Sequence, residues 1–173
     1  MTFRKVIIIV VLILVSCKSS NLETQIGLQE LELSKGKFPK QIGYVNDFEE
    51  IFTKKEIQFL ENLLEYYKTT MNHDIAVITI DSIPKDLEFN QFAIELSDNW
   101  KVGSNNNGNG LTVVLSKSLK RIRITTTDRT RELFLSDEFC KKVIDEYMIP
   151  EFKNQNYYDG VLLGLNELIK KWT

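Results

Sequence analysis

Asp47, Asn109, Asp128 and Glu132 sit in or beside stretches that read as loops at strand ends, and all four carry oxygen donors suited to a hard cation such as calcium. Open α/β sheets bind ligands beyond the carboxyl ends of their strands, so convergence of the four there would make a metal site. Arg129 and Arg131 stand among these acids, and the forked guanidinium grips phosphate oxygens in pairs. The chemistry such a set would support is metal-assisted hydrolysis of a phosphomonoester. Each residue also has a plainer reading. Asp47 reads equally as a turn or cap residue before a helix, Glu132 as a solvated side chain, and the two arginines as surface ion pairs. Residues 105–110 read as a flexible turn.

Other chemistries lack their parts. His73 is the only histidine, which excludes a zinc site built on several. It lies where a helix gives way to a strand and reads as a solvated connector. Cys140 follows Phe139 in a helical pattern and reads as a small buried hydrophobe. The glycine-rich stretch 103–110 lacks the Lys and Ser/Thr of a phosphate-cradling loop. Asn105, Asn107, Asn109 and Gly110 mimic the first half of an EF-hand, but the donors are neutral and Ser116 stands where a bidentate Glu belongs. No spacing singles out an aspartate nucleophile.

The elements that must position these residues follow from periodicity. Thr53-Lys54-Lys55-Glu56 is a capping box, and Ile57, Leu60, Leu64 and Tyr67 then recur at helical spacing. Tyr44 and Val45 form a short extended piece. Residues 74–81 are a compact β-branched run that predicts a buried strand, as does Leu111-Thr112-Val113-Val114-Leu115. Phe89, Phe92, Leu96 and Trp100 make a helical stripe between them. Residues 119–127 alternate, with Arg121 and Arg123 on one face and Ile122 and Ile124 on the other, so this strand pairs with its predecessor across residues 116–118. Phe139, Val143 and Tyr147 predict a helix that stops before Pro150, and Tyr158 to Trp172 a final one. Helices interleaved with apolar strands predict an α/β sandwich whose sheet is mostly parallel, made mixed by the hairpin.

The amino terminus carries a different signal. Arg4 and Lys5 precede an apolar run of about ten residues, too short to span a bilayer and suited to an export signal. Leu14-Val15-Ser16-Cys17 resembles the lipobox of bacterial lipoproteins, which implies lipidation of Cys17 after removal of residues 1–16. Residues 17–41 then form the lipidated cysteine and a tether, with a loose helix over 22–35, and residues 42–173 form the domain. Two or three acyl chains anchor stably where one does not. Lys18, rather than an aspartate, follows the cysteine, so the expected place is the outer membrane of the cell envelope, facing the periplasm. The mature chain keeps 20 basic residues against 24 acidic ones, a net charge of about −4, which disfavours nucleic acid as a partner. With Cys17 lipidated, Cys140 is left with no intramolecular disulfide partner.

A series of short motifs points to a family. Gly43-Tyr44-Val45-Asn46-Asp47, Trp100-Lys101-Val102-Gly103, Asn109-Gly110-Leu111-Thr112-Val113-Val114-Leu115, Arg121-Ile122-Arg123-Ile124, and Ile149-Pro150-Glu151-Phe152 followed by Asn156-Tyr157-Tyr158-Asp159-Gly160 stand in that order. Together they resemble the TPM domain family over residues 42–171, a family that includes thylakoid-lumen photosystem-repair proteins and many bacterial envelope proteins. The resemblance implies a Rossmann-like three-layer α/β/α sandwich and a divalent metal, usually calcium, in an acidic loop cluster. It implies acid phosphatase activity for some members and accessory roles beside membrane complexes for others. Many bacterial members have a C-terminal membrane helix. This chain ends at Trp172-Thr173, so the N-terminal lipid is expected to supply attachment. Two departures weaken the expected metal site. The family's T-G-x-G-x-E stands here as Thr127-Asp128-Arg129-Thr130-Arg131-Glu132, and the acid often found before N-G is Gly108. The expected function is therefore a lipid-anchored, non-catalytic accessory or binding module for a membrane complex, with Ca2+ as the candidate cofactor. The alternative is a metal-assisted acid phosphatase.

Overall fold

The two β-branched runs are the central strands of a four-stranded sheet, β2 (Asp74–Thr79) and β3 (Gly110–Ser116), in a computed structural model that describes residues 36–172. Every residue of both strands is buried, which explains their continuous rather than alternating apolarity. β1 (Val45–Asp47) and β4 (Arg121–Thr126) flank them in the order β1-β2-β3-β4. Val45 pairs with Val77 and Ile75 with Leu111 in parallel register, while Val113 pairs with Ile124 antiparallel. The sheet is thus mixed and mostly parallel, as expected. Cys17, the signal segment and the helix expected over residues 22–35 lie outside the described residues.

Both faces of the sheet are covered. On one face Ile75, Val77, Leu111, Val113, Leu115 and Ile124 meet Leu60 and Leu64 of α1 (Lys54–Met71) and Val161, Leu165 and Leu168 of a long C-terminal helix. Leu60 and Leu64 are wholly buried, each contributing roughly 2 kcal/mol through lost apolar surface. The capping box closes as expected: Glu56 N–H donates to Thr53 Oγ1 at 3.3 Å, and Thr53 N–H to Glu56 Oε2 at 2.6 Å. The other face is covered by α2 (Phe89–Asn99) through Phe92, Ala93 and Leu96. Alternation along β4 puts Arg123 on this thinner side, against Ile94 and Asp98 of α2.

The structure departs from expectation in three places, two of them in the carboxyl-terminal third. Residues 127–133 are not a loop: α3 (Asp128–Leu133) is a short helix capped by Thr127. The helix expected to stop before Pro150 runs through it. α4 (Asp137–Val143) widens into a π-helical turn (Ile144–Met148) and continues as α5 (Ile149–Lys153), with Pro150, which cannot donate to the preceding turn, directly after the π turn. The last helix is α6 (Tyr157–Trp172). His73 is not a solvated connector. It is buried with its ring stacked 4.1 Å from Trp172 at 5°, because the end of α6 closes over the turn between α1 and β2. Burial lowers its pKa from 6.5. Cys140 is buried as expected, and desolvation pushes its thiol up to about 11. Among the described residues no helix is long and apolar enough to cross a membrane.

Candidate functional site

The parallel strands give the sheet two unlike edges. Asp47, Thr79 and Leu115 lie in register at the carboxyl edge, while Asp74, Gly110 and the end of β4 meet at the amino edge. Asp47 is therefore at one edge, and Asn109, Asp128 and Glu132, which adjoin Gly110 and follow β4, are at the other. With roughly 3.3 Å per residue, the six residues of β2 hold the edges about 17 Å apart. The expected convergence of Asp47, Asn109, Asp128 and Glu132 on one cation does not occur. The expected hairpin itself sets this: Asn109 precedes β3, and β4, running antiparallel, carries Asp128 and Glu132 back to the same amino edge.

At the carboxyl edge Asp47 is a cap. Its Oδ1 accepts from Ile51 N–H at 3.2 Å and from the Thr79 hydroxyl, and its Oδ2 accepts from Phe52 N–H at 2.8 Å. Both oxygens are thus committed to the loop that leads into α1. Glu49 does the same across the sheet end: its carboxylate accepts from Lys117 N–H at 2.8 Å and Ser118 N–H at 2.9 Å. Glu50 and Asp81 border the same shallow cleft of 370 Å³.

The amino edge centres on residues with no earlier assignment. Asp74 opens β2, nearly buried. Its Oδ1 accepts from Lys68 Nζ at 2.6 Å and its Oδ2 from Gly103 N–H at 2.8 Å. The loop after α2, expected as a flexible turn, is tied down further: Asn72 and Asn106 bond each other, the Asn106 amide donating to Asn72 Oδ1 at 2.9 Å. Gly103 has φ +83°, and a Cβ there would lie 2.6 Å from the backbone of Gly110, so the two motif glycines exist to let these chain segments touch. Thr130, buried, accepts from Gly110 N–H at 3.1 Å and donates to Gly108 carbonyl at 3.3 Å. Asp128 and Thr130, which replace family glycines, are both helical here, so their positions require no left-handed backbone. The one legible hint of Thr130's role was the hydroxyl itself, in a stretch otherwise charged.

The candidate phosphate ligands are ion-paired or hydrogen-bonded at this edge. Arg131 meets Asp128 at 2.7 Å one turn away, and Arg129 Nε donates to Asn109 Oδ1 at 3.3 Å. Two guanidinium groups on the very oxygens expected to ligate calcium oppose a dication there, so the donor set does not fit that ion. Glu132 is exposed. Among the described residues no three His, Cys, Asp or Glu side chains are grouped to hold a metal. A polar cleft of 400 Å³ between α2 and β4 does gather Asp98, Asp128, Asp137, Arg123 and Arg131 along its walls. Within it Thr125 Oγ1 and Arg123 Nε are buried without a hydrogen-bond partner.

The family model of the TPM domain matches residues 45–171. The N-terminal domain of a protein from P. gingivalis, solved in solution, is 25% identical with a TM-score of 0.66, covering 81% of this chain and 85% of that one. The N-terminal domain of a Corynebacterium glutamicum protein is 11% identical with a TM-score of 0.59, covering 80% of this chain and 86% of that one, a likeness of fold alone. No curated protein matches the chain.

Proposed function

The chain belongs to the TPM domain family, and we propose that it serves as a lipid-anchored, non-catalytic binding module of a bacterial cell envelope, working beside a membrane complex. The observation that carries this reading is the separation of Asp47 from Asn109, Asp128 and Glu132 at opposite edges of the sheet. Hydrolysis needs a placed nucleophile and charge neutralisation at one point. The polar groups of the motif loops instead satisfy their own backbone. Calcium has no part in this proposal, since the residues expected to hold it do not meet. Attachment through Cys17 gives the domain its address, and a Cys17→Ala variant should shift from the membrane to the soluble fraction.

A second reading, acid phosphatase, draws on the cleft between α2 and β4. There Arg123 and Arg131 would neutralise a phosphate beside Asp128. Hydrolysis of 4-nitrophenyl phosphate by the full chain, with and without calcium, separates the two. The binding-module reading expects no turnover above buffer. Turnover that disappears in Asp128→Asn would replace it with the second.

A further inference from the structure

We infer that the carboxyl edge holds a binding site for an organic anion, a phosphate group on a flat apolar body. A cavity of 510 Å³ opens between the β3–β4 turn and the α5–α6 connection. That volume lies in the range that encloses small ligands. Its rim carries Lys117, Lys120, Arg121 and Lys153, and no carboxylate lines it. None of the ion pairs among the described residues involves these four. Two carboxylates nearby are already engaged by hydrogen bonds: Glu49, in the neighbouring cleft that shares Lys117 with Glu50 and Asp81, holds the N–H groups of Lys117 and Ser118, and Glu151 accepts from the Asn156 amide. Four cations around one cavity, none of them ion-paired among the described residues, on a chain of net charge −2, raise the positive potential where a ligand would enter.

The wall is as specific as the rim. Phe152 and Tyr157 stack at 5.5 Å and 28°, and Lys117 Nζ lies 5.6 Å from the Tyr157 ring. Ile122 and Ile149 complete an apolar surface beneath the cations. An inorganic ion would use the rim and leave this surface bare. A phosphate ester uses both: the rim cations offer charge, and the rings take the apolar part. Two rim residues, Lys120 at φ +54° and Gln155 at φ +64°, hold left-handed backbone without being glycine. The same backbone recurs at Glu50, Asn72, Lys101 and Asn107, where the chain also turns tightly. This site is separate from the cleft of the phosphatase reading and stands whichever reading of the function holds.

Calorimetry on the full chain tests it with 1-naphthylphosphonate, which resists hydrolysis, and with vesicles of phosphatidylglycerol, since the phosphate can arrive free or on a lipid. Binding of either probe that weakens with salt, and at least tenfold in the Arg121→Gln/Lys153→Gln double variant, supports the site. The probe that binds identifies the source. Arg129→Gln/Arg131→Gln, at the other edge, should bind as the parent does. Arg121, Lys153 and Arg129 are exposed and Arg131 is half-exposed at a surface ion pair, so none of the four substitutions opens the core. Binding of neither probe, or binding equal in parent and rim variant, overturns the inference.

Discussion

At the amino edge Asp74, Thr127 and Thr130 turn inward and bond Lys68, Gly103, Gly108 and Gly110. At the carboxyl edge Lys117, Lys120, Arg121 and Lys153 surround one cavity whose lining holds no carboxylate. The motifs Trp100–Gly103 and Asn109–Gly110 meet at the first edge, where their polar atoms serve the chain's own backbone, while residues of the motifs 121–124 and 149–160 line the cavity at the second. The second edge leaves its charge available. A motif can therefore mark where a fold is pinned together rather than where a ligand binds, and the two uses predict different responses to mutation.

The largest effect should come from Asp74→Ala. It strands the Lys68 ammonium and leaves Gly103 N–H without an acceptor, at a cost of about 3 kcal/mol in urea unfolding. A loss below about 0.5 kcal/mol would mean that the amino edge is not a structural pin. Thr130→Val keeps the shape but removes the hydroxyl that holds Gly110 N–H and Gly108 carbonyl, for about 2 kcal/mol. The effect should be on stability alone, with anion binding unchanged.

A smaller effect is tied to pH. Burial depresses the folded-state pKa of His73 below 6.5, so the unfolded chain takes up its proton first as pH falls. Stability is complete above about pH 7 and declines as pH drops through 6.5, until the folded histidine is protonated too. His73→Phe, which keeps a ring on Trp172, should narrow the melting-temperature gap between pH 7.5 and 5.5. An equal gap in both proteins would remove His73 from the account. The smallest effect should be that of Arg121→Gln/Lys153→Gln on stability, within about 0.5 kcal/mol, as befits exposed side chains clear of caps and cores. A loss of 2 kcal/mol would place these cations among the structural parts and erase the contrast between edges.

The fold was largely legible in the sequence. The capping box at Thr53, the buried runs of β2 and β3, and the alternation of Arg121 to Ile124 each carry a local physical signature. The passage of α4 through a π turn past Pro150 has none, since proline at a first helical turn and proline as a stop look alike in sequence. The site was legible only in part. Composition and spacing marked Asp47, Asn109, Asp128 and Glu132 as donors at strand ends, and the hairpin already implied that Asn109, Asp128 and Glu132 share the edge opposite Asp47. The basic cavity was invisible because its cations come from residues 117–121 and 153, joined only by tertiary packing. Arg121 did stand out in the sequence, as one member of a polar strand face.

The most direct test is amide-resolved NMR of the full chain titrated separately with 1-naphthylphosphonate and with calcium. The account predicts that the phosphonate shifts signals of Lys117 to Ile122 and Phe152 to Tyr157 and leaves Asn109, Asp128 and Glu132 unmoved, while calcium shifts neither group. Calcium-dependent shifts at Asp47 together with Asn109 and Asp128, or phosphonate shifts confined to Arg129 and Arg131, would contradict it.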